Sequence, residues 1–346
     1  MRKTLTELAE YLQTILVPET NEVYTIHTTY QSVSDEETLR EGVRGYRTFL
    51  NHLFKELSLC GDMYDSHKKV AHEYENRTTL SGYYPFLHAI NNLLIRIGYY
   101  GVLDKSNSYL ICESNIFNEK IPVSKIMECL RFLNDCGMEF DGINLDDKKP
   151  NLSDIETIKV SYFDNSVMLI GMKVMAIAEV DHRTLINQDV FLRCDYSVVK
   201  NDETDVITII RNTIRTLPND IQNFVLQLHQ RYLDKGMKCV VEIKGFHVYV
   251  KYMYKRKELW GINASLNNGF HINVKTQKMD QYPDVIETLS SFLKEIINEG
   301  YGCGRKIESI SHCNGGCRGM TIPLDSTVLD MSDDIEKWFD TELSFT

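Results

Sequence analysis

Proline and glycine are scarce in this chain, Pro 7 and Gly 19 among 346 residues. That excludes collagen-like and low-complexity arrays, which need them in quantity. Positive charge is the minority sign, with Lys+Arg 38 against Asp+Glu 49 and a net charge of −11. A broad basic face is therefore not expected, and nucleic acid is an unlikely partner on charge grounds. No apolar run approaches the roughly 18 uncharged residues of a membrane span. The longest, Val167 to Val180, is interrupted by Lys173 and Glu179. Residues 1–16 carry a glutamate inside their apolar stretch and no small-residue cleavage site, which does not fit a secretory leader. These features read as a cytoplasmic protein without a membrane partner.

Several chemical fingerprints are missing too. There is no G-x-x-x-x-G-K-[ST] phosphate loop, no G-x-G-x-x-G between strand and helix, no G-x-S-x-G elbow and no H-E-x-x-H pair. No cofactor is expected. Gly300-Tyr301-Gly302-Cys303-Gly304 is glycine-rich, but it follows a helix, whose carboxyl end repels anions.

What remains is an ordinary globular composition, 43% hydrophobic and 25% charged. The length suits about two domains and a core that needs no disulfide. Cysteines number 9, an odd count. Cys60, Cys112, Cys129, Cys194 and Cys239 sit singly in apolar patterns and read as small core hydrophobes.

The periodicity predicts an α+β fold: a helical N-terminal region, 1–100, followed by two antiparallel β-meander plus helix units, 101–216 and 217–346. In the first region Ser34 and Glu37 suggest a capping box for a helix running to about Cys60, with Gly61 as its stop. In the second, Thr157–Phe163, Val167–Val180 and Asp189–Val198 read as strands. In the third, Ile221, Phe224, Val225, Leu228 and Tyr232 form the clearest helical stripe, closed by Gly236. A four-stranded meander over 238–276, a covering helix over 283–299, a cysteine-containing hairpin and a C-terminal helix over 332–343 complete that unit.

The apolar pattern also selects strand register, because a one-residue slip moves every side chain to the other face. A two-residue turn at Gly245-Phe246 pairs Val241 with Val250. A three-residue loop Lys255–Lys257 pairs Tyr252 with Trp260 and Val250 with Ile262. A three-residue loop Asn267–Gly269, with Gly269 left-handed, pairs Ala264 with Ile272 and Ile262 with Val274.

The opposite face of this meander is polar: His247, Tyr249, Lys251, Asn263, Ser265, His271, Asn273 and Lys275. A wet antiparallel face is the ordinary reading of such a pattern. The functional reading is a binding floor for a small polar or anionic ligand, with His247, Tyr249, Lys251, Asn263, His271 and Asn273 as its contacts. A separate cluster, Cys303, His312, Cys313 and Cys317, offers metal or redox chemistry, since thiolates spaced C-x₃-C can converge on one zinc.

Leu228 through Cys239, Asn263 through Gly269, Gly300 to Gly304 and Cys313 to Asp330 resemble a family of conserved hypothetical proteins of anaerobic gut Firmicutes. The likeness extends over most of residues 80–346. It implies no activity, so no catalytic role carries over. Two functions are expected: a small-ligand- or partner-binding regulatory protein using the polar face, or a thiol- or metal-dependent protein using the cysteine cluster. Whether the protein is an enzyme stays open.

The cysteine cluster yields a test. Residues 306–311 read as a strand and Thr321–Leu324 as its returning partner, so Cys313 and Cys317 fall near the hairpin tip. A strand of that length separates its ends by roughly 17–20 Å, too far for Cys303 and Cys313 to share a metal. Elemental analysis is expected to find no stoichiometric zinc, and the Cα atoms of Cys313 and Cys317 are expected within about 7 Å, close enough for a bridge. Tightly held zinc with Cys303 among its ligands overturns this.

Overall fold

The computed structural model describes residues 4–20, 23–64, 84–118, 123–147, 150–182, 189–201, 204–244, 246–266, 268–302 and 318–346. The chain is α+β, with helices at its N-terminal end and two antiparallel sheets. It divides into two compact units, 1–204 and 205–346. Among the described residues no helix is long and apolar enough to cross a membrane.

The first unit is built on helices α1 (Leu5–Ile15), α2 (Glu36–Tyr64), α3 (Pro85–Tyr100) and α4 (Val123–Asp135), and on α5 (Val167–His182). Its sheet has the order β1-β2-β4-β3, from β1 (Val102–Leu103), β2 (Tyr109–Glu113), β3 (Met138–Asp141) and β4 (Thr157–Tyr162). The capping box lies at Thr4 and Glu7, not at Ser34 and Glu37. Asp35 caps α2 instead, accepting from the Thr38 amide at 3.0 Å. Gly61 does not stop α2. It lets α1 come close, since a Cβ there would sit 2.9 Å from the Thr6 nitrogen.

Two segments expected as strands are helical. Val167–Val180 lies within α5, and Asp189–Val198 holds a short helix, Val190–Arg193, a left-handed Cys194 (φ 46) and a 3-10 turn. A helix buried on all sides has no polar stripe, so its sequence shows no 3.6-residue period. Helix α5 is such a case: Met168, Leu169, Ile170, Met172, Val174, Met175 and Ala176 are all buried. The turn cluster before it starts the helix, with the Asn165 side chain accepting from the Val167 amide at 3.0 Å. Both charges that interrupt the run are used. Lys173 donates to the Gly101 carbonyl at 2.7 Å, at the carboxyl end of α3. Glu179 accepts from the Phe191 amide at 3.2 Å.

The second unit contains α6 (Val206–Ile214) and α7 (Asn219–Asp234). Strands β5 (Lys238–Lys244), β6 (His247–Tyr254), β7 (Lys257–Ser265) and β8 (Gly269–Lys275) follow. Then come α8 (Ser291–Glu299), β9 (Tyr301–Gly302), β10 (Arg318–Pro323) and α9 (Ser332–Phe345). The sheet order is β5-β6-β7-β8-β10-β9. The expected stripe of α7 is buried, and Gly236 is left-handed at φ 82.

Two of the three expected registers are found. Val241 pairs with Val250, Tyr252 with Trp260, and Val250 with Ile262. The second hairpin reaches its register by another route: Lys255 and Arg256 are both left-handed (φ 46 and 69), and a bulge follows at Tyr252/Met253. A two-residue turn plus one inserted residue gives the same offset as a three-residue loop. The third register differs by two residues, with Ala264 opposite Phe270, Ile262 opposite Ile272 and Trp260 opposite Val274. Gly269 is left-handed as expected (φ 61).

The covering element over 283–299 is broken into Pro283–Glu287 and α8, which Ser290 caps. Only Leu293 and Ile297 of α8 are buried, and Phe292 is 42% exposed. Helices α7 and α9 supply the aromatic part of the core. Trp260 stacks on Tyr252 with ring centroids 3.8 Å apart, and meets Tyr232 at 5.2 Å and Phe339 at 5.3 Å. Arg231 ties the two helices by pairing with Asp340 at 2.7 Å and Glu336 at 3.0 Å.

Two substitutions check this packing. Leu228 is fully buried in α7, so Leu228→Ala is expected to cost about 2–5 kcal/mol in denaturant unfolding. A loss under about 1 kcal/mol contradicts a core role. A Cβ at Gly171 would lie 1.9 Å from the Gly42 carbonyl oxygen. Gly171→Ala is thus expected to force α2 from α5 and cost about 3 kcal/mol or more. An unchanged unfolding midpoint would show that the two backbones do not meet there.

Candidate functional site

Strand alternation sends the even-numbered residues of β6, Val248, Val250 and Tyr252, into the core, and the odd-numbered ones to the other face. Cross-strand pairing then sets rows. Glu242, Tyr249, Asn263 and His271 form one, through the pairs Glu242–Tyr249, Tyr249–Asn263 and Asn263–His271. Val240, Lys251, Gly261, Asn273 and Thr321 form the next. The expected ligand-binding residues therefore share one face and occupy adjacent rows.

This face is drier than an ordinary wet one. Asn263, Ser265 and His271 are buried, at 3%, 5% and 5% exposure, while His247, Tyr249, Lys251 and Asn273 are half-buried. The Asn263 side-chain oxygen is buried without a hydrogen-bond partner. It leans along β7 toward Gly261, lying 3.5 Å from where a Cβ would stand. Such an oxygen costs about 1–3 kcal/mol relative to a partnered one.

The charges are largely matched. Glu242 binds Lys251 at 2.6 Å and Lys244 at 2.9 Å, and Glu258 binds Lys275 at 2.7 Å. The Lys251 ammonium, then that of Lys244, holds the Glu242 carboxyl down at about 2. Sequence reading missed Glu242 and Glu258. Alternation along β5 from Val241 and Ile243 was the signal that could have placed Glu242 opposite Tyr249.

Two imidazoles sit among these groups. The His247 ring stacks near Tyr249 (5.9 Å, 18°), and its Nδ1 lies 3.2 Å from the tyrosine hydroxyl. His271 Nδ1 lies 3.1 Å from the Gly269 carbonyl. A carbonyl only accepts, so Nδ1 carries the proton and Nε2 of the neutral ring is left as an acceptor. Burial lowers the pKa of both rings below the ordinary 6.5, and for His247 the neighbouring His271 adds to it.

On the sheet's core side, a third histidine, His229, is buried with Nδ1 2.7 Å from the Tyr252 hydroxyl. A recess there is lined by Tyr232, Trp260, Trp338, Phe339 and Glu342 among others, and the Trp260 indole nitrogen has no partner.

The expected metal or redox residues, Cys303, His312, Cys313 and Cys317, lie outside the described residues, as does the strand expected over 306–311. The described flanks, Gly302 and Arg318, are paired across β9 and β10. Thr321 and Ile322, expected to pair with that strand, are in β10, whose other neighbour is β8. Among the described residues no three His, Cys, Asp or Glu side chains converge as a metal site. Cys60, Cys112, Cys129, Cys136, Cys194 and Cys239 are free thiols. Burial pushes Cys112 and Cys129 up to about 12, which suits packing and not nucleophilic work.

The buried imidazoles make stability depend on pH. In the unfolded chain they take up protons near 6.5, in the fold only at lower pH, so acid favours the unfolded state. The stability they confer is complete above about pH 6.5 and is lost as pH falls through the folded values. Urea unfolding followed between about pH 7 and pH 5 is expected to show this loss, and the double variant His247→Gln, His271→Gln is expected to flatten it. An equal slope in the variant would assign the loss to other groups. No protein-family model, no curated protein and no solved structure matches this chain.

Proposed function

We propose that the protein is a small-ligand-binding regulatory protein whose binding floor is the polar face of the second unit's sheet. One observation carries this reading: the Asn263 oxygen is buried without a partner, in a row of polar side chains of which His271 is buried and Glu242 and Tyr249 are half-buried. A face meant only for water would leave its polar groups wet. A core would carry apolar groups there, since a partnerless amide is costly. Unmet hydrogen-bonding capacity among converging polar side chains is what a ligand site offers.

Covalent chemistry has less support. Among the described residues His247 Nδ1 meets the Tyr249 hydroxyl at 3.2 Å and His271 Nδ1 the Gly269 carbonyl at 3.1 Å, and no serine, threonine or cysteine is hydrogen-bonded to either ring. The floor is suited to holding a molecule by hydrogen bonds.

Native mass spectrometry of the gently purified full chain tests the reading. The expected result is a small-molecule adduct that is lost in the double variant Asn263→Leu, His271→Phe. A polar metabolite present at 100 times its Kd is expected to raise stability by about 2.7 kcal/mol, readable as a higher Tm. A chain that carries no adduct and is stabilised by no polar metabolite would return this face to an ordinary surface.

A further inference from the structure

The sheet of the second unit begins at β5, a strand of 7 residues that pairs, among the described residues, with β6 alone. Two residues separate Lys244 from its partner His247, so these two form a hydrogen-bonded pair. Alternation then turns the backbone groups of Lys244, Glu242, Val240 and Lys238 toward β6, and those of Cys239, Val241 and Ile243 away from it. Among the described residues no backbone hydrogen bond meets the outward groups. A bare edge of this length is a template for another strand. Its side chains are open as well. Val240 is 43% exposed. Cys239, Val241 and Ile243 are only half-buried, although α6 packs against β5 and their partners Tyr252, Val250 and Val248 are fully enclosed.

Charge selects the strand that fits. When β5 pairs antiparallel with a second β5, outward backbone groups must meet, so odd-numbered residues oppose odd and even oppose even. With Val241 on the two-fold axis, Lys238 opposes Lys244 of the second copy. With Glu242 there, two carboxylates oppose each other, and with Cys239 there, no charges match. With Val240 on the axis, Lys238 opposes Glu242 at both ends, and Cys239 opposes Val241. Glu242 has room for this lysine: Lys244 and Lys251 both bind its Oε2, and among the described residues its Oε1 has no ion pair. Lys238 is exposed and likewise unpaired among them. We propose that two copies of this chain join β5 to β5 in this register, as one continuous sheet. The pairing forms whether or not the polar face holds a ligand. An interface of one strand pair is small, so a Kd of about 1–100 μM is expected.

Sedimentation equilibrium of the full chain at about 1–200 μM tests this. The expected result is reversible association from 40.1 kDa to twice that mass. Lys238→Glu sets carboxylates opposite each other at both ends of the pairing and is expected to weaken association about tenfold. Lys105→Glu, an equal charge change at an exposed position of the first unit, is expected to leave it unaltered. Val240→Cys reads the axis. Facing residues there stand about 4.5–5.5 Å apart at Cα, within reach of a disulfide, so oxidised glutathione is expected to link two copies at position 240 by peptide mapping. Both Lys238 and Val240 are exposed, so these variants keep the fold. A chain that stays at 40.1 kDa throughout overturns the proposal. So does a dimer indifferent to Lys238→Glu, which would use another surface. A bridge through the native Cys239 instead also overturns it, because it places the axis at a different residue.

Discussion

The second unit depends on one contact, the stacking of Trp260 on Tyr252 in the middle of its sheet. The two rings come from paired positions on β6 and β7, so the stack fixes the register of the strands that carry them. Tyr232 from α7 and Phe339 from α9 close on the same indole, which joins sheet and helices at one point. Aromatic pairs of this kind add about 0.5–1.5 kcal/mol each beyond the area they bury. Once Trp260 and Tyr252 face inward, alternation gives every residue on the other face its place. The rows of Asn263 and Gly261 are a consequence of the core, not a separate feature.

That dependence explains what could be read from the sequence. Faces and two registers were legible because apolar residues recur with period two, and a slip of one residue would bury lysines. The β7–β8 register was not. A slip of two leaves each residue on its own face, so the apolar pattern is blind to it, and only the turn decides. The difference matters at the site. In the expected register Asn263 would stand opposite Asn273, whose amide could serve it. In the structure it stands opposite His271, whose Nδ1 proton is engaged elsewhere. The unmet oxygen was therefore invisible in the sequence, although Asn263, His271 and Asn273 had been singled out.

Helix α5 failed to be legible for a different physical reason. It contacts α2 and α3 through glycines: a Cβ at Gly42 would stand 2.7 Å from the Gly171 nitrogen, and one at Gly98 would stand 2.8 Å from the Ala176 methyl carbon. Helices so close have no room for a polar stripe, and β-branched residues can occupy such a helix because packing overrides their weak intrinsic preference. Periodicity measures asymmetry of surroundings. Where the surroundings are apolar on every side, it has nothing to report.

The two unpartnered polar atoms on β7 deserve different explanations, because they face opposite ways. The indole nitrogen of Trp260 is fixed by the stack, and its orphaned proton is the cost of placing a large flat ring where four aromatic side chains meet. Asn263 lies on the other face of the sheet, outside that stack. An isosteric leucine would fill the same volume without losing about 1–3 kcal/mol to an unmatched oxygen. In solution a hydrogen bond to a ligand yields little, because water must first be given up by both sides. An amide oxygen already stripped of water by the fold has made that sacrifice in advance. Each hydrogen bond that a ligand then offers restores what folding took away, so its contribution to binding exceeds that of a bond made on a wet surface. On the proposed reading, the same unmatched oxygen weakens the empty fold and would strengthen an occupied one.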